Sequence, residues 1–493
     1  MNTFTVTFLP SKKKIEVLSP RTVLEAAQMA GISVHAPCGG NGTCGKCKVM
    51  VDGQLVSGCK TYIDRDLTAH IMEDTPSHPC IALNPLVQES SFPADCASGY
   101  CIAFDIGTTT IVAYLLSGTG GILASAGALN PQGSYGADVI SRIQYCLNKS
   151  SAPLVRCVRQ TMEALIQQLC AEQSISHMQI RTICVAGNTA MHHLFLNIDP
   201  RPLITPPYSP AEKRPIEIAS SNILSICPNA TVRVLPNIAG FVGGDTVGCM
   251  IALGFDKLRT PALIIDIGTN GELVMTNGTK MIACSTAAGP AFEGAKISCG
   301  MRAAASSIDH VWLENGRINF SVIGNVPPLG ICGSALLDAV AVYLEMGAIS
   351  NCGRILTQTK TLPITESIYL TQNDISELQL AKAAIAAGID MMLSSLRISV
   401  TDIQTVYLAG AFGSYMNPDS ACSIGLIPKA LRTKIVPVGN AAGIGSQLAA
   451  LSRDAYRYAE KLSNSTEFLD LAAQEDFQDT YIDNLSFEEN PYD

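Results

Sequence analysis

The run Leu263-Ile264-Ile265-Asp266-Ile267-Gly268-Thr269-Asn270-Gly271-Glu272 is an apolar strand that ends in a carboxylate and turns on a glycine. Cys101-Ile-Ala-Phe-Asp105-Ile-Gly107-Thr108-Thr109-Thr110 repeats the pattern earlier in the chain. A second pair follows the first. Ile183-Cys-Val-Ala-Gly187-Asn-Thr189 is echoed by Val406-Tyr-Leu-Ala-Gly410-Ala-Phe-Gly413. Each half therefore offers a strand ending in Asp-x-Gly-Thr and, further on, a strand ending in Ala-Gly before a helix. Such internal self-similarity points to two related halves facing a cleft, and apolar strands alternating with helical stretches read as α/β.

The chemistry of these turns favours phosphate. A glycine after a strand lets the backbone turn sharply and aim N–H groups at anionic oxygens, and threonine hydroxyls add donors. A carboxylate at each strand end can hold Mg²⁺ directly or through water. One such turn alone is ordinarily only a turn; two in matching halves carry more weight. Val242-Gly-Gly-Asp245-Thr-Val-Gly stands shortly before the second turn, and by its residues Asp245 reads as a helix N-cap. Gly330-Ile-Cys-Gly333-Ser334 precedes a helical stretch, so its amides face a phosphate or ribose or simply start a helix. Ala287-Ala-Gly-Pro-Ala-Phe-Glu293-Gly is a loop near the nucleotide or a plain turn, with Glu293 as the contact to ribose or metal. A Walker A motif and a strand-borne G-x-G-x-x-G are both absent from the sequence, so the P-loop and Rossmann readings fail.

Outward from this core, 493 residues predict about three domains. Charged residues are 15% and apolar ones 47%, which excludes a disordered chain. A net charge of −9 argues against a nucleic-acid-binding protein. The apolar stretches 97–130 and 435–452 are interrupted by polar residues and glycines and do not read as membrane spans. Met1 leads straight into the alternating run Thr3 to Leu9 with no signal peptide, so the expected location is cytoplasmic.

Eighteen cysteines then favour metal binding or buried thiols over disulfides. Cys38, Cys44 and Cys47 are spaced C-x5-C-x2-C, with Cys59 after eleven intervening residues. Gly39, Gly40, Gly42 and Gly45 let the backbone approach closely. Four thiolates suit one [2Fe–2S] cluster, near the plant-type spacing; structural zinc and plain thiols are the alternatives. Cys80 is a spare ligand should Cys59 not serve. Cys146, Cys184, Cys249, Cys332 and Cys422 read as scattered buried thiols. Before this loop, residues 3–9 and 14–18 predict a hairpin and 21–30 a helix ended by Gly31. Residues 48–51 predict a strand after it.

The order hairpin, helix, cysteine loop, with Cys38-Gly-Gly-Asn-Gly-Thr-Cys44-Gly-Lys-Cys47, resembles a β-grasp [2Fe–2S] ferredoxin over roughly residues 1–85. The paired turns resemble the ASKHA superfamily of acetate and sugar kinases, heat-shock ATPases and actin, a duplicated RNase H-like fold. That resemblance implies phosphate loops at Gly107, Thr108 and Thr109 and at Gly268, Thr269 and Asn270. It implies an adenosine motif at Gly410, Ala411 and Gly413, nucleotide contacts at Gly330, Gly333 and Ser334, and catalytic roles for Asp105, Asp245 and Asp266, with Asp245 orienting water. The expected division is a ferredoxin-like domain over 1–86, a linker over 87–99 and an ATPase over 100–493. Its halves are about 100–260 and 261–460, and the C-terminal arm 461–493 packs loosely from Gln474.

A ferredoxin joined to an ASKHA ATPase resembles the reductive activators of corrinoid proteins. The longer motifs Asn130-Pro-Gln-Gly-Ser-Tyr-Gly-Ala-Asp-Val-Ile-Ser-Arg142 and Gly187-Asn-Thr-Ala-Met-His192-His193 belong to that likeness, as does Gly330 to Ser334. The chain departs from it in having little sequence between ferredoxin and ATPase core. The resemblance implies a [2Fe–2S] cluster held by Cys38, Cys44, Cys47 and Cys59, with ATP and Mg²⁺. It also implies a corrinoid protein of a methyl-transfer system as partner, an upstream low-potential electron donor and a homodimer. His192 and His193 are expected near the cleft, one packed and one polar, with a cobalt-ligand role as the sharper alternative. The rival functions are an activator of the 2-hydroxyacyl-CoA dehydratase type and a non-redox ASKHA ATPase with a structural metal. A small-molecule kinase would leave the ferredoxin without purpose.

Overall fold

The structure is a computed structural model of the chain, and it describes residues 3–32, 34, 36, 40, 42, 47–71, 92–95, 99–268 and 270–487. Cys38 and Cys44, expected as cluster ligands, and Thr269, expected in a phosphate loop, lie outside the described residues, as does Cys80.

The N-terminal unit is a five-stranded sheet. Strand β1 (Thr3–Leu9) turns through Pro10 to Lys12 into the antiparallel β2 (Lys13–Leu18). Helix α1 (Val23–Met29) follows, starting two residues after and ending one residue before the expected 21–30. A capping box starts it: Thr22 accepts from the Glu25 amide and Glu25 accepts from the Thr22 amide, a motif that contributes about 1 kcal/mol. Val23, Leu24, Ala26 and Ala27 bury its inner face. Strands β3 (Lys48–Val51), β4 (Gln54–Ser57) and β5 (Leu67–Ile71) complete the order β2-β1-β5-β3-β4, with β1 and β5 parallel at the centre. This is the expected β-grasp. Val6, Phe8, Val17, Val49 and Ile63 fill its core against α1.

The next sheet is built from β6 (Tyr100–Ile106), β7 (Thr110–Ser117) and β8 (Ile122–Leu129), an antiparallel meander. Helices α2 (Val139–Asn148) and α3 (Ala152–Glu172) lead to β9 (Ile180–Gly187), parallel to β6. Helix α4 (Thr189–Leu196) leads to β10 (Ile216–Ala219), β11 (Thr231–Val234) and helix α5 (Gly244–Leu253). The strand order is β10-β11-β9-β6-β7-β8.

The plan then repeats. Strands β12 (Ala262–Ile267), β13 (Gly271–Thr276) and β14 (Met281–Thr286) form the second meander. An inserted three-stranded sheet carries β15 (Ser307–Glu314), β16 (Arg317–Val322) and β17 (Gly330–Ile331), and helix α6 (Gly333–Glu345) follows. A small hairpin, β18 (Thr361–Pro363) and β19 (Tyr369–Thr371), precedes the long helix α7 (Gln372–Leu396). Strand β20 (Thr405–Ala409) runs parallel to β12. After it come α8 (Gly410–Tyr415), α9 (Pro418–Ser423), β21 (Ile435–Gly439) and helices α10 (Ala441–Leu451) and α11 (Arg453–Ser465). Strand β22 (Thr466–Phe468) and helix α12 (Phe477–Asp483) end the described chain. The order β21-β20-β12-β13-β14-β22 matches the first half over five strands, β6, β7, β8, β9 and β11 corresponding to β12, β13, β14, β20 and β21, while β10 and β22 extend opposite edges. This is the duplicated RNase H-like architecture.

The C-terminal region is not a loose arm. Strand β22 extends the second sheet beside β14, and Asn484 after α12 donates to Asp390 of α7 at 2.8 Å. Apolar residues at one edge explain this: Leu469 and Leu471 pack on the second core and gain more there than in water. Phe92 and Asp95, in the segment read as a linker, are also seated. Phe92 lies 5.3 Å from the Tyr458 ring, and the Asp95 amide donates to Leu451 at 2.9 Å.

One core joins the halves. Helices α5, α10 and α11 lie between the two six-stranded sheets, where Ala103, Tyr114, Val247, Ile264, Val274 and Ala449 share one buried cluster. A Cβ on Gly445 would stand 2.0 Å from the Gly248 carbonyl oxygen, so only glycine permits α5 and α10 to approach so closely. No helix among the described residues is long and apolar enough to cross a membrane.

Candidate functional site

The two Asp-x-Gly turns sit at equivalent corners of the two sheets. Asp105, near the end of β6, lies beside Ala186 of β9; Asp266, near the end of β12, lies beside Ala409 of β20. The two sequence echoes are therefore neighbouring strands, and each pair opens toward the cleft. Gly410 is forced by this closeness: its φ is +81°, and a Cβ there would lie 2.5 Å from Asp266 Oδ1.

Asp105, Asp245 and Asp266 come together, half-buried at the cleft floor, with Glu272 directly across the hairpin from Asp266. Asp245 is the second residue of α5, and Gly243 occupies the N-cap, so the capping reading of Asp245 is corrected. Its Oδ1 accepts from the Thr246 amide at 2.8 Å. Burial, added to mutual repulsion, raises these carboxyls. Asp105 is pushed up to about 7 by desolvation and by the charges of Asp245 and Asp266, against a hydrogen bond from Asn440. Asp266 is pushed up to about 7 by desolvation and Asp245, and Asp245 up to about 6 chiefly by desolvation. Glu272 is held well above its ordinary value for the same reasons. Cys249, one helical turn after Asp245, points its thiol at Asp266 Oδ2, 3.7 Å away. It is part of this site rather than a scattered thiol.

Such a cluster of close, half-buried carboxyls is unfavourable without a compensating cation. Among the described residues no three His, Cys, Asp or Glu side chains converge on one metal position. The donor set fits a hard divalent ion held by one or two carboxylates, with water and phosphate oxygens for the rest.

The first turn is gripped from behind. Asn130 Nδ2 donates to the Gly107 carbonyl at 2.9 Å, Arg142 Nη2 to the Thr108 carbonyl at 2.5 Å, and Asn188 Nδ2 to the Thr108 hydroxyl at 3.0 Å. The Thr109 hydroxyl donates to Glu293 Oε1 at 2.8 Å, across the cleft. In the second turn the Gly268 amide donates to the Asn270 carbonyl at 2.8 Å.

The remaining predicted elements gather around the 3-10 turn Pro290–Glu293. Glu293 reaches the first phosphate turn. Phe292 lies against Gly333 at the start of α6, and its ring is 4.8 Å from Phe412 in α8. Gly330, Gly333 and Ser334 thus meet the Gly410 to Gly413 helix through one turn. The Ser334 hydroxyl is already committed, donating to the Asp309 carbonyl at 2.7 Å, so the backbone of α6's first turn is what remains for a ligand. Ala411 occupies the second position of α8.

Both histidines of α4 are buried, which corrects the expected packed-and-polar pair. His193 Nδ1 lies 2.7 Å from the Thr189 carbonyl, and Nε2 accepts from the Ala211 amide at 3.0 Å, which fixes a neutral ring. His192 is 3% exposed, and neither ring nitrogen has a hydrogen-bond partner among the described residues. Burial and the neighbouring His193 lower it to about 3.

At the other end of the molecule Cys47 and Cys59 are neighbours. The Gly58 amide donates to the Cys47 carbonyl at 2.7 Å, and the Cys59 amide points at Cys47 Sγ from 3.4 Å. An amide aimed at a ligating sulfur suits a thiolate that carries charge in an iron–sulfur site.

Sequence reasoning closed the second phosphate turn on Glu272, but had not assigned Asn130, Arg142, Asn188, Cys249 or Asn440 to the site. Glu272 closes the second quoted turn, and it faces Asp266 because Ile267 pairs with Gly271. The others act from different elements; Asn130, Arg142 and Asn188 stand in the longer motifs quoted above, which gave no sign of what they touch.

Residues 260–493 match the family model for the C-terminal ASKHA domain of RACo, residues 100–258 that for the RACo middle region, and residues 6–73 that for the 2Fe-2S iron-sulfur cluster binding domain. The corrinoid activation enzyme RamQ of Eubacterium limosum is 36% identical over 422 residues, covering 79% of this chain and 71% of RamQ. A Methanosarcina barkeri protein, the [Co(II) methylated amine-specific corrinoid protein] reductase, is 25% identical over 394 residues, 71% of this chain and 70% of its own. A solved structure of a reductive activator for corrinoid, iron–sulfur protein superposes with a TM-score of 0.73 at 29% identity, over 98% of both chains. Cluster loop, duplicated ATPase fold and relatives agree, and the chain belongs to the RACo family of reductive activators of corrinoid proteins.

Proposed function

We propose that this chain returns a corrinoid protein from Co(II) to Co(I) in an ATP-dependent step. The observation that carries the reading is the three-aspartate floor shared by two matching halves in one chain with a cysteine loop. The corrinoid substrate comes from the names of the relatives. The ferredoxin-like domain is residues 1–86, the linker 87–99 and the ATPase 100–493. Cys38, Cys44, Cys47 and Cys59 hold the cluster, which supplies one low-potential electron when bound. Asp105 and Asp266 hold Mg²⁺, and Asp245 orients the attacking water. The turns at 107–109 and 268–270 receive the phosphates. The first turn of α6 and Gly410, Ala411 and Gly413 frame the nucleoside.

The energetics explain why ATP is needed. Plant-type centres lie near about −400 mV, and Co(I) corrinoids demand lower potentials still. Each ~59 mV uphill costs a factor of ten, about 1.4 kcal/mol. A nucleotide state that binds one form of the partner more tightly supplies that difference. On this reading the chain acts in the cytoplasm as a homodimer served by a low-potential donor.

The test follows a Co(II) corrinoid protein spectroscopically under anaerobic conditions, with reductant, with and without MgATP. Co(I) is expected only with nucleotide, and Cys44→Ser and Asp266→Ala each abolish it. Equal reduction without nucleotide would sink the reading. ATP hydrolysis with every corrinoid protein left untouched would move the target to another low-potential enzyme.

A further inference from the structure

The first phosphate turn and the cysteine loop belong to different sheets, yet one continuous series of hydrogen bonds joins them. It begins at the turn. Asn130 and Arg142 hold the Gly107 and Thr108 carbonyls at 2.9 and 2.5 Å. Both come from one segment, residues 130–142, which is also tied to itself: Arg142 Nε donates to the Gly136 carbonyl at 2.9 Å and Nη1 to Gln132 Oε1 at 3.3 Å. Asn130, Gln132, Ser134 and Arg142 are all buried.

The far side of this segment touches the ferredoxin-like unit. Gln28 Nε2 of α1 donates to the Ser134 carbonyl at 2.6 Å, and Lys149, just after α2, lies 3.9 Å from Glu25. Helix α1 in turn rests on the cysteine loop: the Leu24 amide donates to the Gly58 carbonyl at 3.1 Å, and Gly58 is bonded to Cys47. Beside the Gln28–Ser134 contact lies a cavity of about 390 Å³, bordered by Gln28, Ile32, Ser134, Tyr135, Cys157 and Gln168. A joint with empty space beside it shifts at lower cost than a close-packed one.

We propose that residues 130–142 are a strap that transmits occupancy of the first phosphate turn to the ferredoxin helix, with Asn130 and Arg142 as positioning residues and Gln28–Ser134 as the joint. The inference rests on the nucleotide reading above. Phosphate at the turn adds negative charge in front of Thr108, which tightens the hold of the guanidinium behind it. The strap follows, and α1 is restrained against it. Linkage makes the effect reciprocal: the state of the joint also sets nucleotide affinity.

The experiment uses the full, cluster-loaded chain with a nonhydrolysable ATP analogue and Mg²⁺. Calorimetry reads analogue binding, and hydrogen exchange reads the amides of 23–29. In the wild type the analogue slows exchange in α1 by at least about fivefold, the lower range of ordinary coupling. Gln28→Ala still binds the analogue, weakened by no more than the roughly fivefold coupling it removes, but its α1 exchange no longer responds. Arg142→Lys loses both binding strength and the response. If the analogue binds but α1 exchange stays the same, or if Gln28→Ala keeps the full response, the strap is overturned and the nucleotide reading survives. If no analogue binds, the nucleotide reading falls and the strap with it.

Discussion

Asp266 shows what a single carboxyl contributes. Its proton is retained in the fold to about pH 7, whereas the unfolded chain loses it near 3.8. Between those values the folded state binds more protons, so stability falls as pH rises from about 4 to 7. Asp266→Asn removes this penalty. Its melting temperature should climb relative to wild type as pH goes from 5 to 8, read by calorimetry; a constant offset would contradict the raised carboxyl. Mg²⁺-nucleotide binding near pH 6.5 should then release protons, visible as a buffer-dependent binding heat. Asp245→Asn should slow ATP hydrolysis by ~10²–10⁴-fold with a smaller change in KM, the expected loss of a group acting on the attacking water. His192 runs the opposite way. Its folded pKa is lowered, so its buried neutral ring costs stability as pH falls through about 6.5 toward 3. His192→Leu should raise the melting temperature more at pH 5 than at pH 8.

Among the elements, α5 and α10 deserve the clearest test. They meet backbone to backbone at Gly248 and Gly445, between the two sheets. Gly445→Val must push them apart. Overpacking of this kind costs ~1–3 kcal/mol, so a lower melting temperature is expected. Because α5 carries Asp245 and Asn440 caps α10 while bonding Asp105, nucleotide binding should weaken as well. Retained stability with retained affinity would show that the helices have room to separate.

On the scale of the whole molecule the chain couples two units of different chemistry. On the proposed function, the cysteine loop handles electrons and the duplicated sheets handle phosphate and metal. Cys47→Ser should lose visible absorption and corrinoid reduction while hydrolysing ATP within about twofold of wild type, since distant sites act nearly independently on the basal reaction. Parallel loss of hydrolysis would mean that the cluster unit is required to fold the ATPase.

Much of this architecture is legible in the sequence because it is local. Strand and glycine turn depend on residues a few positions apart, so Asp105 and Asp266 and the Cys44-x-x-Cys47 spacing could be read directly. The repeat of Asp-x-Gly and Ala-Gly also declared the duplication. Contacts between distant elements were out of reach. Nothing in the sequence says that Arg142 lies under Thr108, that Glu293 crosses to Thr109, that Phe292 joins α6 to α8, or that Gln28 meets Ser134. Those contacts are decided by how two sheets and a β-grasp unit pack. Burial then sets the charge states of Asp105, Asp245, Asp266 and His192. Protonation follows from desolvation and neighbouring charge, and both exist only once the chain has folded around the cleft.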